Sequence, residues 1–201
     1  MVQDQIVARG IMDSPTLHAM RTVPRHEFVP PELTRYAYDD SPLPIGYGQT
    51  ISQPYIVAKM TELIGPNKGQ RVLEVGTGSG YQAAVLAEIV DSVFTIEIIP
   101  ELAASSAERL GRLGYKNVIV RQGDGYMGWH EHAPFDAIMV TAAAEEIPKP
   151  LIDQLNEGGV MVIPVGPSES VQALTLVRKQ AQGVFTQTLL PVRFVPLIHS
   201  H

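Results

Sequence analysis

The sequence predicts an α/β fold built on one mostly parallel, twisted sheet. From residue 71 onward, short runs rich in Val, Ile and Phe alternate with helical patterns, which is typical of strands joined by crossover helices. A turn with three glycines joins the first of these strands to its helix. The last two strand-like runs are separated only by residues 179–183, so we expect them to pair as antiparallel neighbours.

Short helices and one long loop are predicted before the sheet. Residues 1–40 contain apolar anchors between several prolines, a pattern that indicates short, interrupted helices. Residues 39–54 are rich in Pro, Gly, Ser and Gln, and we expect a functional loop there because long loops in compact chains usually have a function. A helix follows, with Ile56, Met60 and Leu63 on one face.

The rest of the chain predicts seven strands and three helices. The first helix carries an apolar face that includes Ala83 and Leu86, a second opens at Pro100 and ends near Gly114, and a third begins near Pro148. Strands are predicted at residues 71–75, 93–97, 117–122, 135–141 and 159–166, and the antiparallel pair at residues 173–178 and 184–190.

Length, charge and residue types restrict the possible functions. The chain has 201 residues, of which 45% are hydrophobic and 18% charged, as expected for a single domain over residues 1–201. A net charge of -6 makes a nucleic-acid partner unexpected, and the lack of cysteine excludes disulfides and thiolate chemistry. The sequence has no apolar run of 18 residues and no signal-peptide pattern, so we expect no membrane partner and a cytoplasmic location.

The glycine-rich turn, residues 72–81, predicts a ligand site. Glycine lets the backbone approach a ligand closely, and the helix that follows offers free N–H donors. A plain strand-to-helix turn is the alternative, but such a turn needs fewer glycines. The loop itself consists of Gly76, Thr77, Gly78, Ser79 and Gly80.

The residues around this turn indicate which ligand it binds. A dinucleotide fingerprint requires glycine at position 81, where this chain has Tyr81, and Glu74 at the strand end would repel a pyrophosphate. The pattern therefore disfavours nicotinamide and flavin dinucleotides. It suits a cationic, amino-acid-bearing nucleoside such as S-adenosylmethionine.

Two further acids follow neighbouring strands. Glu97 ends the second strand, 21 residues after Gly76, where an acid can accept hydrogen bonds from both ribose hydroxyls. Asp124, followed by Gly125, comes after the third strand and can accept from the adenine amino group. The alternatives are an exposed glutamate at a helix start for Glu97 and an ordinary Asp-Gly turn for Asp124.

Several segments resemble bacterial protein-L-isoaspartate O-methyltransferases. The segment GYGQTISQP, residues 46–54, is the most specific of them, because it does not belong to the general cofactor-binding fold. Flanking segments at residues 21–30 and 191–197 extend the resemblance over nearly the whole chain. The longest matching segments are residues 40–60, 72–87, 123–129 and 135–159.

The resemblance implies a class I S-adenosylmethionine-dependent methyltransferase (Rossmann-like) fold. It also implies transfer of a methyl group from S-adenosyl-L-methionine to the free α-carboxylate of L-isoaspartyl residues in damaged proteins and peptides, which leaves S-adenosyl-L-homocysteine. Ser52 matches the family's active-site serine. The implied cofactor-binding residues are Glu74, Gly76, Thr77, Gly78, Ser79, Gly80, Glu97, Asp124, Gly125 and Thr141. The implied substrate-binding residues are Ile45, Gly46, Tyr47, Gly48, Gln49, Thr50, Ile51 and Gln53.

The same resemblance divides the single domain into three parts. Residues 1–65 would hold the N-terminal helices and the substrate loop, residues 71–166 the cofactor-binding core, and residues 173–201 the strand pair and tail. We expect isoaspartyl proteins and peptides as partners, and a monomeric chain.

The residue inventory agrees with this reaction. A carboxylate acceptor is already ionised at neutral pH, so the site needs hydrogen-bond donors such as Thr50, Ser52 and Gln53 rather than a strong base. No catalytic-triad pattern surrounds Ser52, which argues against a nucleophile. Capping of the helix that opens at Pro54 is the alternative role of Ser52.

Other interpretations remain at this stage. The pair His130 and His132 lacks further ligands in the sequence, so we predict no metal site. Three tyrosines could line a peptide groove, but we expect them to pack the N-terminal helices on the sheet: Tyr36, Tyr38 and Tyr47. An enzyme acting on RNA or a small hydroxyl compound is disfavoured by the segment VTAAAEE, residues 140–146, and a non-catalytic nucleotide-binding module by the long apolar loop.

Overall fold

Short helical segments form the N-terminal layer of the molecule. The computed structural model describes residues 1–167 and 170–199, so the last two residues of the predicted tail lie outside the described part. Helix α1 (Ser14–Thr22) begins where the Asp13 carboxylate accepts from the Thr16 amide at 2.9 Å, and prolines interrupt the chain around it, as expected. Short 3-10 or π segments occupy Val2–Ile6, Val7–Arg9, Arg25–Phe28 and Pro31–Tyr36.

The predicted long loop contains a β-hairpin. Strand β1 (Leu43–Gly46) pairs antiparallel with β2 (Gln49–Ile51), and the turn between them gives Tyr47 a positive φ of 53°. A pure loop was therefore the wrong prediction, because strands of three and four residues are too short to show alternation in the sequence.

Helix α2 (Pro54–Ile64) follows the hairpin at the predicted proline. Its buried face includes Val57, Met60 and Ile64, whereas Ile56 and Leu63 are only half-buried. The predicted helix is thus confirmed, but its buried face is rotated about the helix axis relative to the predicted face of Ile56, Met60 and Leu63.

Seven strands form the main sheet in the described part of the chain, in the order β5-β4-β3-β6-β7-β8-β9. Neighbours from β5 to β7 are parallel, and β8 and β9 are antiparallel, as predicted. Strand β7 begins four residues before the predicted start at residue 159. The strands are β3 (Arg71–Val75), β4 (Ser92–Glu97), β5 (Val118–Gln122), β6 (Phe135–Val140), β7 (Leu155–Val165), β8 (Gln172–Gln180) and β9 (Gly183–Val192).

Helices cover both faces of this sheet. They are α3 (Tyr81–Ala87), α4 (Pro100–Arg112) and α5 (Lys149–Asp153). Neighbouring residues Val72 and Leu73 of β3 belong to two different apolar cores, one on each face. The predicted apolar residues Ala83 and Leu86 of α3 are buried, and the rest of the helix from Tyr81 to Leu86 is buried as well, because the N-terminal layer packs over it.

The carboxyl ends of the parallel strands, where the loops begin, lie at one end of the sheet. Strand β3 lies between β4 and β6, so the connections after β3 and after β6 leave the sheet in different directions and open a crevice. Glu97 is the last residue of β4, and the connections after the other strands carry Gly76, Asp124 and Thr141 to the same end of the sheet. Among the described residues, the helices are all too short or too polar to cross a membrane.

Candidate active site

The glycine loop after β3 is held by backbone hydrogen bonds and cannot carry a side chain at its start. The amides of Gly76 and Thr77 donate to the Ile96 carbonyl at 2.8 and 3.2 Å. Gly76 has a φ of 97°, and a Cβ on it would lie 2.5 Å from the Thr141 hydroxyl oxygen. That hydroxyl donates to the Gly76 carbonyl at 2.6 Å, so the ends of β3 and β6 are joined at the crevice.

Glu97 lies in the wall of the crevice. Its Oε2 accepts from the Gly78 amide at 2.8 Å and its Oε1 from the Ile99 amide at 3.0 Å. The residue is 5% exposed, which rules out the alternative of a solvated glutamate flanking a helix. A carboxylate in this position lies where the ends of β3 and β4 meet.

Glu74 lies beneath the glycine loop rather than in the crevice. Its Oε2 accepts from the Thr95 hydroxyl at 2.5 Å, and that hydroxyl is 2.7 Å from the hydroxyl of Thr77. Burial, together with the nearby charge of Glu97, raises the pKa of Glu74 to about 8 despite the lowering by the Thr95 hydrogen bond. The carboxyl group therefore supports the loop from below through two threonines.

Asp124 caps a helical turn and contacts the C-terminal segment. Its Oδ1 accepts from the Tyr126 amide at 2.9 Å, so the turn interpretation describes its local role. Its Oδ2 lies 2.5 Å from Nδ1 of His199, whose ring packs on Tyr126 at 4.5 Å between centroids. The next residue, Gly125, packs so tightly on Val75 that a side chain would not fit.

One cavity fills the crevice between the glycine loop, the hairpin and the C-terminal segment. Seven predicted cofactor residues line it: Gly76, Thr77, Gly78, Ser79, Glu97, Gly125 and Thr141. Glu74, Gly80 and Asp124 lie outside its lining, and their roles toward a cofactor stay predictions.

Sequence reasoning missed part of this cavity's wall. Ile96, Ile98, Ile99 and Ala142 complete the strand ends, and residues 195–198 cover the cavity from the C-terminal segment. Residues 195–197 of this group lie in the flanking segment 191–197 that resembles the family, so the resemblance was the available signal for them.

A second cavity adjoins the first at the predicted serine. Thr50, Ser52, Thr141 and Val195 line both cavities. Helix α2 takes Gln53 as its N-cap and has no side-chain capping hydrogen bond, so Ser52 does not cap it. The structure thus places Ser52 at the junction of the two cavities.

The predicted substrate residues divide into two groups. Gln49, Thr50 and Ile51 line the first cavity, and Thr50 and Gln53 line the second. The hairpin residues outside both linings are Ile45, Gly46, Tyr47 and Gly48. Their roles toward the substrate stay predictions.

The hairpin covers the glycine loop. The Ile45 Cδ1 atom lies 3.3 Å from the position a Cβ on Gly78 would take. The predicted substrate segment and the predicted cofactor loop are therefore in direct contact.

The tyrosines and histidines singled out in the sequence lie elsewhere. Tyr36, Tyr38 and Tyr47 are 38–59% exposed, so their predicted packing against the sheet is wrong. His132 stacks on Phe94 at 4.4 Å between ring centroids. Within residues 1–167 and 170–199, no group of three or more His, Cys, Asp or Glu side chains is placed to hold a metal ion.

Comparison with known proteins decides which family has this site. The model of the protein-L-isoaspartate(D-aspartate) O-methyltransferase family matches residues 1–201. The chain belongs to this family. A relative named protein-L-isoaspartate O-methyltransferase from Opitutus terrae is 60% identical over 196 residues, which cover 98% of this chain and 84% of the relative. One of the same name from Gloeobacter violaceus is 56% identical over 197 residues, with 98% and 96% covered.

Solved structures agree with the sequence matches. A structure titled protein-L-isoaspartate O-methyltransferase has a TM-score of 0.86 and 33% identity; the match covers 94% of this chain and only 62% of that chain. A Plasmodium falciparum protein described as a putative protein-L-isoaspartate O-methyltransferase, in complex with S-adenosyl-L-homocysteine, has a TM-score of 0.82 and 29% identity, with 96% and 94% covered.

Family membership confirms the main predictions from the sequence. The class I methyltransferase fold is confirmed, and so is the enzyme class, a protein-L-isoaspartate O-methyltransferase that uses S-adenosyl-L-methionine. A methyltransferase for RNA or small hydroxyl compounds and a non-catalytic binding module are thereby set aside.

Proposed function

We propose that the two adjoining cavities divide the family's reaction between them. The first cavity holds S-adenosyl-L-methionine, and the second holds a peptide with its isoaspartyl α-carboxylate at the junction. The observation that carries this proposal is that Thr50, Ser52 and Thr141 line both cavities. The methyl donor and the acceptor carboxylate then meet at the residues that both cavities share.

The residues of the first cavity fit this cofactor. Side chains at Gly76 and Gly125 would collide with Thr141 and Val75, so the wall at these positions is bare backbone that a ligand can approach. Glu97 supplies a carboxylate to the same wall, which suits ribose hydroxyls. The cofactor supplies a methyl group on a positively charged sulfur, which is the electrophile of the reaction.

The chain's own residues have to orient the acceptor and exclude water. An α-carboxylate is ionised at neutral pH, so no proton has to be removed from it. The Thr141 hydroxyl already donates to the Gly76 carbonyl, which leaves Thr50 and Ser52 as the hydroxyls that we assign to hold the acceptor. Holding two reactants in line accounts for a large share of the rate in such a site.

The second cavity suits an extended peptide of varied sequence. Its lining is mostly apolar and neutral, with Ile56, Val171 and Phe194 among its members, and Arg193 brings a positive charge. Such a surface can bind backbone without requiring particular flanking side chains. An isoaspartyl residue carries its free α-carboxylate on a backbone lengthened by one methylene, and we propose that the distance from this groove to Ser52 selects that geometry.

The remaining features follow from the same proposal. Residues 1–201 act as one domain, with residues 1–65 and 173–201 enclosing the core of residues 71–166. We propose a monomer in the cytoplasm with no nucleic-acid partner, in keeping with the net charge of -6 and the lack of cysteine. Asp124 is assigned to the adenine amino group and Glu74 to support of the loop.

A pair of matched peptides tests the function. Transfer of labelled methyl to an isoaspartyl peptide should exceed transfer to its normal aspartyl twin by about 100-fold or more, because a misplaced carboxylate reacts slowly. The product should be a base-labile methyl ester that releases methanol as the neighbouring amide nitrogen closes a succinimide ring. Equal rates on both peptides, or a base-stable product, would contradict the proposal.

A further inference from the structure

Arg25 is an arginine with no exposed surface. It opens the helical turn Arg25–Phe28 in the N-terminal layer, and its exposed fraction is 0%. Asp40, whose charge acts on it from a distance, is instead paired with Arg9 at 2.9 Å. A buried charge without a counter-ion is destabilising unless its hydrogen bonds compensate, so the contacts of Arg25 indicate what it does.

The Arg25 guanidinium contacts two residues that line the first cavity, Ser52 and Tyr81. Its Nη2 donates to the Ser52 carbonyl at 2.8 Å, and its Nε donates to the Ala37 carbonyl at 2.7 Å. Its central carbon lies 4.7 Å from the centre of the Tyr81 ring. Ser52 lines both cavities, and Tyr81 lines the first cavity immediately after the glycine loop.

The Tyr81 ring is itself held in place. It packs edge-on against Phe28 at 5.5 Å between ring centroids, so it lies between two residues of the same N-terminal turn. Burial raises the pKa of Tyr81 to about 12, and its hydroxyl stays neutral at any working pH. The turn thus connects the start of α3 to the segment that carries Ser52.

Only arginine can make this set of contacts. The planar guanidinium directs its N–H groups at fixed angles while its face stacks on a ring, whereas the lysine ammonium is a compact point charge. A shift of Ser52 by about 1 Å relative to the cofactor is enough to lower a rate by roughly 100-fold.

We propose that Arg25 is a positioning residue that sets the place of Ser52 relative to the glycine loop and α3. It acts through the Ser52 carbonyl and the Tyr81 ring and does not touch the substrate. This inference rests on the proposed function, in which Ser52 holds the acceptor.

The test uses one conservative variant and one matched control. Arg25→Lys keeps the charge and loses the planar fork. Arg9→Met is the control, because Arg9 also belongs to the N-terminal layer and stacks on a tyrosine, Tyr55, at 3.4 Å. Arg9 pairs with Asp40, and neither Tyr55 nor Asp40 lines either of the two cavities. The wild-type enzyme is first assayed on the isoaspartyl peptide and its aspartyl twin, so failure of the proposed function is seen separately.

The expected result is a loss of turnover that is separate from cofactor binding. Arg25→Lys should lower kcat roughly 10- to 100-fold, while the Kd for S-adenosyl-L-homocysteine stays within about 3-fold of wild type. Arg9→Met should leave kcat unchanged. Amide hydrogen exchange, which needs no activity, should be faster around residues 50–57 in Arg25→Lys and unchanged there in Arg9→Met.

Three outcomes would overturn the inference. They are a wild-type kcat in Arg25→Lys, an equal loss of kcat in Arg9→Met, and a fall in cofactor affinity by the same factor as kcat. If Arg25→Lys lowers stability too far for kinetics, the exchange pattern under native conditions at lower temperature decides between a local shift around residues 50–57 and general loosening of the layer.

Discussion

The Gly78 amide donates to the Glu97 carboxylate at 2.8 Å, although Gly78 follows β3 and Glu97 ends β4. The bond fixes the glycine loop against the end of β4, and the same carboxylate lines the first cavity. One side chain therefore shapes the loop and offers acceptor capacity to a ligand. Substitution of Glu97 should affect cofactor binding through both routes.

Glu97→Ala should weaken binding of S-adenosyl-L-homocysteine by about 1–3 kcal/mol, because charged hydrogen bonds to the ligand and to the Gly78 amide are lost. Calorimetry measures the change. Glu101→Ala is the matched control, since Glu101 is an exposed acid in the first turn of the next helix. Unchanged affinity in Glu97→Ala, or micromolar binding of NAD by the wild type, would refute the cofactor assignment.

Ser52→Ala should lower turnover by about 100-fold and leave the affinity for S-adenosyl-L-homocysteine unchanged, because one oriented donor to the acceptor is removed. The melting temperature should stay near that of wild type, since Gln53 and not Ser52 is the N-cap of α2. Steady-state kinetics and thermal unfolding check this against Ser41→Ala, a serine just before the hairpin. A normal rate with a lowered melting temperature would show a structural role only.

Glu74→Gln should remove a pH dependence of stability. Burial raises the pKa of Glu74 from 4.5 to about 8, so the folded state binds more protons than the unfolded state between these values. The contribution of Glu74 to stability is complete below about pH 4.5 and is lost as the pH rises through about 8.

Urea unfolding from pH 5 to 9 measures this effect. The free energy of unfolding of the wild type should fall relative to Glu74→Gln as the pH rises, by an amount on the order of a few kcal/mol. Glu146→Gln, at an exposed glutamate, is the control and should follow the wild type. Parallel curves for wild type and Glu74→Gln would show that Glu74 titrates normally.

Arg193 should favour acidic residues beside the isoaspartyl group, because it brings a positive charge to the second cavity. A peptide with Glu next to the isoaspartyl residue should have a KM a few-fold below that of its Lys twin, as expected for a partly solvated ion pair. Arg193→Gln and high salt should both abolish the difference. Arg178→Gln, at an exposed arginine of β8 outside the cavity, should preserve the difference in KM between the two peptides. Equal KM values of the wild type for the Glu and Lys peptides would exclude the effect.

The strands of the main sheet and the glycine loop were predictable from local sequence. Buried parallel strands such as β6 are mostly apolar runs, and Gly76 and Gly78 mark a turn whose positive φ angles suit glycine. The hairpin was missed because Tyr47 adopts a positive φ that the residue type does not signal, and because its strands are so short.

The sequence by itself determined the cofactor class and the family, because each motif that carries them consists of residues close together along the chain. Gly76 and Glu97 lie 21 residues apart, and one crossover connection brings them to the same edge of the sheet. The junction of the two cavities was decided only by tertiary structure. Ser52, Thr141 and Val195 come from distant segments, and burial of the apolar faces of the sheet and the N-terminal layer, not any local pattern, brings them together around one site.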